Sequence, residues 1–208
     1  MFFVKEGWPF IFIPLVLGIL ILSVFRGSTP YALGVLLIVF GSFSAFFFRD
    51  PVRSIRDDAG LILSPADGTV MEISEEDGAK CVKIFLSVFN VHLQRSPVEG
   101  VVKSVEYRPG KFLPAMRQEA HILNEQNIIT IETKDGEYKV KQIAGILARR
   151  VVSWVRRGDK VSKGQKIGLI KFGSQVDVYF PKGSPAEIVV AKGDKVVSGI
   201  TVLARSGK

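Results

Sequence analysis

Three short segments of this 208-residue chain carry side chains able to do acid–base and nucleophilic chemistry. Asp67 stands in Leu63-Ser64-Pro65-Ala66-Asp67-Gly68-Thr69-Val70, and His92 in Val88-Phe89-Asn90-Val91-His92-Leu93-Gln94-Arg95-Ser96-Pro97. Ser174 follows Gly173 in Lys171-Phe172-Gly173-Ser174-Gln175-Val176-Asp177-Val178-Tyr179-Phe180-Pro181. In chain order they supply a carboxylate, an imidazole and a hydroxyl. Each alone has an ordinary explanation: Asp67 before Gly68 is a turn residue, His92 among apolar neighbours is a core histidine, and Ser174 at a strand kink bonds a nearby carbonyl. The Gly173-Ser174 pair is the most telling of the three. A glycine inside a strand marks a bulge or a close backbone approach, and the serine beside it sets a hydroxyl next to a peptide carbonyl. In that geometry the chain's own backbone becomes a substrate.

The elements that must position these residues read as antiparallel β-structure. From Leu61 onward, β-branched runs such as Cys81 to Leu86, Gly100 to Tyr107, Ile128 to Thr133 and Tyr138 to Ile143 are separated by Gly, Asp-Gly and Pro-Gly. Asp135-Gly136 is a hairpin signal. Helix formers gather only over about Ala115 to Asn124, where one short helix is expected, with His121 on it as a surface or packing residue. Arg157-Gly158-Asp159-Lys160-Val161 and Lys192-Gly193-Asp194-Lys195-Val196 repeat one turn, and the first copy, with Lys163-Gly164-Gln165-Lys166-Ile167-Gly168, looks like the turn–strand unit of barrel-sandwich domains. The expected fold is mainly β, barrel-sandwich-like with a short helix, behind an N-terminal hydrophobic helical hairpin.

That hairpin comes from two uncharged runs, Trp8 to Phe25 and Tyr31 to Phe48, separated by Arg26-Gly27-Ser28-Thr29-Pro30. Each is long enough to cross a hydrocarbon layer of about 30 Å at about 1.5 Å per residue. The start, Met1 to Glu6, lacks a basic leader and no small-residue cleavage site precedes the second run, which disfavours a removed signal peptide. Pro9 and Pro14 leave a spanning pair and a shallow re-entrant or interfacial pair both open. Arg49, Arg53 and Arg56 follow the second run and Lys5 precedes the first, so the charge bias puts both ends, and the β-domain, on the cytoplasmic face. A single cysteine, Cys81, fits a reducing compartment and excludes an internal disulfide framework.

The formal net charge is +8, nearly all of it outside the hairpin. Such a balance suits nucleic acid or an anionic membrane surface, and with an anchor already present lipid is the simpler partner. Nucleic acid is not expected. Two other chemistries fit poorly. A swinging-arm carrier would need a lysine at the hairpin tip, where this chain has Phe172-Gly173-Ser174; a zinc peptidase would need paired histidine ligands, and the chain has only His92 and His121. No metal is expected.

With these segments in view, the chain resembles the phosphatidylserine decarboxylases, specifically their short membrane-associated subgroup. The resemblance covers about residues 44 to 208 and is carried by Phe48-Arg49-Asp50-Pro51, Ser64-Pro65-Ala66-Asp67-Gly68, Phe89-Asn90-Val91-His92, Asn124-Glu125-Gln126-Asn127 and Phe172-Gly173-Ser174, in the family's order. It implies that Asp67 orients and charges His92, that His92 takes the Ser174 proton, and that Ser174 attacks the Gly173 carbonyl to give an ester. Elimination and loss of ammonia then leave a pyruvoyl group at position 174, the self-made cofactor, on a small chain 174–208 beside a large chain ending at Gly173. The pyruvoyl ketone forms a Schiff base with the lipid's serine amine and accepts the electrons left as CO2 departs, giving phosphatidylethanolamine. Longer relatives carry a further histidine where this chain has Phe89, so the group that reprotonates the α-carbon stays open here, with His92, reused after processing, the preferred candidate.

The resemblance also implies an anionic phospholipid substrate, a membrane partner and association between copies of the chain. The resulting organisation is a membrane-embedded hairpin over 1–48, a basic juxtamembrane linker over 49–60 and a β-rich catalytic domain over 61–208, cut between 173 and 174. An ether-lipid substrate, archaetidylserine, stays open beside the diacyl lipid. So does a non-enzymatic membrane-tethered barrel-sandwich module, which self-cleavage at Gly173-Ser174 would exclude.

Overall fold

The computed structural model describes residues 2–111, 113, 120–145, 150–171 and 174–207, with only the backbone of Ala120 and His121. Phe172 and Gly173, residues 115–119 of the expected short helix, and the His121 side chain therefore lie outside the described residues. The chain divides into two units, Met1–Val52 and Arg53–Lys208.

In the first unit, strand β1 (Phe2–Phe3) pairs antiparallel with β2 (Arg49–Asp50), and helices α1 (Trp8–Val24) and α2 (Ser28–Phe47) form a hairpin between them. Pro9 sits in the first turn of α1, where no amide partner is lost, and Pro14 lies inside the helix without ending it. The two helices touch along glycines: a Cβ on Gly18 would come within 2.8 Å of the Gly34 carbonyl oxygen, and one on Gly41 within 3.0 Å of the Ile11 carbonyl oxygen. Small residues at a helix crossing let backbones approach where lipid supplies no hydrophobic drive. Lys5–Val24 and Ser28–Phe47 are both long and apolar enough to cross a membrane.

The second unit holds the remaining strands: β3 (Leu61–Leu63), β4 (Gly68–Glu76), β5 (Ala79–Leu86), β6 (Leu93–Arg95), β7 (Gly100–Arg108), β8 (Gln126–Thr133), β9 (Gly136–Ala144), β10 (Val151–Ser153), β11 (Lys160–Val161), β12 (Lys166–Ile170), β13 (Ser174–Tyr179), β14 (Glu187–Ile188), β15 (Lys195–Val196) and β16 (Val202–Arg205). The short helix α3 spans Ala120–Leu123. One eight-stranded sheet runs β11-β7-β8-β9-β13-β5-β4-β15, and two three-stranded sheets run β10-β12-β6 and β14-β16-β3, with every pair antiparallel. Alternation along β13 sends Val176 and Val178 to the core, where they pack with Ile62, Ile167, Ile170 and Leu203 from the small sheets. The expected mainly β class with a helical hairpin is what the chain adopts, and Asp135-Gly136 makes the β8–β9 hairpin with Thr133 opposite Gly136.

The strand order conceals a duplication, with a pseudo-two-fold axis between β9 and β13. The two Gly-Asp-Lys-Val turns cap opposite edges of the large sheet in the same way: Gly158 and Gly193 donate to the carbonyls of Val102 and Val70, while Val102 and Val70 donate back to those of Asp159 and Asp194. Ser64-Pro65-Ala66-Asp67-Gly68 matches Ser96-Pro97-Val98-Glu99-Gly100, and the copies cross-bond, Arg95 N–H to the Pro65 carbonyl and Leu63 N–H to the Pro97 carbonyl. Even the bulges agree, one between Val70 and Glu72, the other between Val102 and Ser104. In this correspondence Thr133 opposite Gly136 matches Leu86 opposite Ser174, so Ser174 occupies in its half the place of Gly136 in the other.

Candidate active site

Ser174 is the first residue of β13, flanked on one side by Leu86 and on the other by Ala144. It is fully buried, and its Oγ has no hydrogen-bond partner among the described residues. A buried hydroxyl left without a partner costs on the order of 1–3 kcal/mol, so one held in a central strand of a well-satisfied sheet points to use rather than to packing.

His92 reaches the same end of the sheet by the chain's own path. After Leu86, the strand partner of Ser174, the chain turns and rejoins the structure at Leu93, opposite Leu169. Asn90 builds the turn: its Oδ1 accepts from the amide and hydroxyl of Ser87, at 2.9 and 2.7 Å. The amide of Ile170, shortly before the scissile segment, donates to the His92 carbonyl at 3.1 Å. The ring is fully buried, with Nδ1 3.0 Å from the carbonyl oxygen of Asn90. A carbonyl can only accept, so in the neutral ring Nδ1 carries the hydrogen and Nε2 keeps the basic lone pair.

Asp67 immediately precedes β4 at this end, two residues before Thr69, which pairs with Phe85. Its Oδ2 accepts from Arg53 at 2.8 Å in a mostly buried ion pair, and its Oδ1 accepts from the amide of Ser198 at 2.8 Å. No bond to His92 is among the contacts of this carboxylate. The structure thus brings Asp67, His92 and Ser174 to one end of adjoining strands β4, β5 and β13, while the tautomer-setting contact comes from Asn90. Gly173, the acyl side of the expected cut, lies outside the described residues.

Sequence reasoning missed the residues around this constellation. Arg53, read as juxtamembrane charge, is the partner of Asp67 and also donates to the Ser198 carbonyl at 3.1 Å. The Asn124-Glu125-Gln126-Asn127 motif ties the flank of Ser174: Asn124 Nδ2 donates to the carbonyl of Ala144 at 2.7 Å, and Glu125 Oε1 accepts from the amide of Val151 at 3.1 Å. Gln94 and Gln142, both fully buried, join Asn127 in a line of side-chain amides that ends at the His92 carbonyl. The repeated Ser-Pro-x-acid-Gly was the available signal for the duplication; a buried glutamine has none.

On the opposite face of β13, Asp177 is fully buried between Lys83 of β5 and Lys141 of β9, its direct partners in register. Burial pushes its carboxyl up to about 6 despite the lysines and the Gln175 amide, which donates to Oδ1 at 2.6 Å. Burial likewise lowers Lys141 and raises the Cys81 thiol, making that cysteine an unreactive filler. A cleft of about 470 Å3 lined by Glu99, Thr133 and Asp135 marks the corresponding end of the other half; Asp67, His92 and Ser174 do not line it.

A family model described as phosphatidylserine decarboxylase matches residues 40–204. Proteins named phosphatidylserine decarboxylase proenzyme are similar over nearly the whole chain. One from Carboxydothermus hydrogenoformans is 44% identical over 192 residues, 89% of this chain and 90% of its own. One from Burkholderia pseudomallei is 43% identical over 208 residues, 96% and 93% of the two chains, and one from Symbiobacterium thermophilum is 44% identical over 210 residues, 97% and 94%. The family model and these relatives define a decarboxylase of the lyase class. The chain belongs to the phosphatidylserine decarboxylase family.

Proposed function

We propose that this chain is a proenzyme that cuts itself between Gly173 and Ser174 and then, as a pyruvoyl enzyme, decarboxylates phosphatidylserine to phosphatidylethanolamine. The observation that carries the reading is the Ser174 hydroxyl, buried and unpartnered among the described residues at the head of a central strand, in a family whose relatives are named proenzymes.

His92 Nε2 takes the Ser174 proton. Ser174 Oγ adds to the Gly173 carbonyl carbon, the Gly173–Ser174 C–N bond breaks, and the serine nitrogen receives the proton, leaving an ester. Removal of the Ser174 α-proton expels the Gly173 carboxylate; the enamine that remains becomes an imine, and water replaces its nitrogen as ammonia. Asp67 is the carboxylate of this constellation, and orienting the imidazole directly requires it to exchange its Arg53 or Ser198 contact for one to the ring. The residues fit the resulting group: position 174 sits between two strands, buried, at the end where His92 lies. The pyruvoyl ketone supplies an electrophile for the substrate amine and a sink for the electron pair freed with CO2. His92 is then the chain's own proton donor to the α-carbon.

The apolar hairpin fits an anchor in the cell membrane, with the basic residues after α2 holding the catalytic unit on the cytoplasmic face. Confining the site to the plane of the headgroups raises the local concentration of substrate. Association between copies fits the family pattern.

Denaturing electrophoresis with intact mass tests the first step: two chains, 1–173 and 174–208, are expected, and a single chain in Ser174→Ala. Reductive trapping with phosphatidylserine tests the second. An adduct mapped to an internal lysine instead of position 174 would overturn the pyruvoyl assignment, and an uncut, inert chain would favour the tethered module.

A further inference from the structure

The His92 backbone is the terminus of a one-way chain of amides. Gln94 Nε2 lies 2.8 Å from the His92 carbonyl oxygen, Gln142 Nε2 2.8 Å from Gln94 Oε1, and Asn127 Nδ2 2.8 Å from Gln142 Oε1. The polarity follows by elimination. A peptide carbonyl only accepts, so Gln94 must turn its NH2 to His92 and its oxygen to Gln142; Gln142 must then donate, leaving its own oxygen to accept from Asn127. The three side chains are 0–3% exposed.

The duplicated half shows that the fold does not require amides at the positions of Gln94 and Gln142. Gln94 pairs with Gly168 just past a bulge, and Ile62 pairs with Ala204 just past the matching bulge. Counting along β9 from Gly136 and along β13 from Ser174, Gln142 matches Phe180. Ile62, Phe180 and Ala204 all belong to the hydrophobic core. At the positions matching Gln94 and Gln142 the same architecture is thus packed with apolar side chains, while Lys80, which matches Asn127, turns its Nζ to the Ala186 carbonyl instead. Gly168 makes the room: a Cβ there would stand 2.7 Å from Gln142 Nε2 and 2.5 Å from the Val152 carbonyl oxygen. The amides occur only in the half in which the segment leading into β6 carries His92; the matching position in the other half is Gly60.

We propose that Asn127, Gln142 and Gln94 are positioning residues that hold the His92 peptide, and through it the imidazole, in the orientation for proton transfer with position 174. The inference rests on His92 being the base. A fully satisfied buried network holds one geometry where an apolar core tolerates several, and a displacement of about 1 Å can cost a reaction about 100-fold.

The test uses pulse-labelled full-length precursor, made by cell-free synthesis into detergent, with its division into two chains followed across pH. Gln142→Leu and, in case that protein does not fold, Gln94→Met each remove donors at nearly constant volume. Self-cleavage slowed about ten- to 100-fold with a displaced pH midpoint, far below the melting temperature, is the expected result. Cleavage at the unaltered rate and midpoint, with only a lower melting temperature, would overturn the inference and leave the amides as packing. His92→Ala separates the two levels. If it cleaves normally, the assignment of the base fails and the positioning role with it; if it stays uncut while the glutamine variants cleave normally, only the positioning role fails.

Discussion

The Asp67 carboxylate accepts a hydrogen bond from the backbone amide of Ser198 at 2.8 Å, and the Ser198 hydroxyl returns one to the Pro65 carbonyl at 3.0 Å. A cut before Ser174 turns both into bonds between chains. Strand β13 is also zipped to β5 and β9 along its whole length, β15 pairs with β4, and β16 with β3. The 174–208 fragment therefore stays docked as a core element without a covalent link. The expected outcome is a single peak containing both fragments on size exclusion in detergent, resolved into two bands only in denaturant. Elution of the small fragment on its own would contradict the pairing.

Arg53 and Asp67 have side chains only 7% and 13% exposed, so each is the other's main compensation for lost hydration. Asp67→Ala strands the guanidinium, and breaking a buried pair from one side costs about 3–5 kcal/mol. Asp67→Asn keeps an oxygen for Ser198 but turns an NH2 toward Arg53. Thermal melts should place Asp67→Ala lowest. Asp67→Ala paired with Arg53→Met should recover part of the loss, because the second change removes the stranded charge. Failure of the double variant to recover would show that the Ser198 contact, not the ion pair, carries the stability.

Ser174→Ala removes a buried hydroxyl that makes no hydrogen bond among the described residues. The loss of an unsatisfied polar atom costs the folded state little and can help it, in contrast to most core substitutions. The uncut Ser174→Ala protein is expected to melt no lower than unprocessed precursor and above the cleaved protein. A drop of several degrees below the precursor would mean that the hydroxyl has a partner that holds the strand.

Local chemistry made part of this legible from sequence. Asp135-Gly136 and the two Gly-Asp-Lys-Val turns announce themselves because a turn is decided by a few adjacent residues, and the β-branched runs between them fix the class. The partners of Asp67 did not, for they lie 14 and 131 positions away, and nothing near Arg53 or Ser198 marks them as its neighbours. Nothing in the sequence singles out Gln94 or Gln142. Their burial depends on a second layer packing over the large sheet, a tertiary fact that alternation along one strand does not encode. The Asn90 carbonyl is invisible for a further reason, since a backbone group carries no residue identity. A resemblance supplied the carboxylate–imidazole pair; the geometry supplied a different holder for the ring.

Asp177 gives the protein a stability signature in pH. Its neighbours are Lys83 and Lys141 on the flanking strands, Gln175 on its own, and Glu76 further along. Desolvation outweighs the lysines and holds the folded carboxyl at about 6, above its ordinary 3.8. The folded state thus binds this proton more tightly than the unfolded chain does. The contribution is full below about 3.8, declines as pH rises through about 6, and is absent above that. Ion pairs such as Lys83–Glu76, whose carboxyl is held below its ordinary range, weaken on acidification and pull the other way, so the comparison must be made against a variant. In the uncut Ser174→Ala background, Asp177→Asn should melt higher than its parent at pH 7, and the gap should close as pH falls from 7 to 5. A gap that stays constant over that range would show that Asp177 does not titrate there.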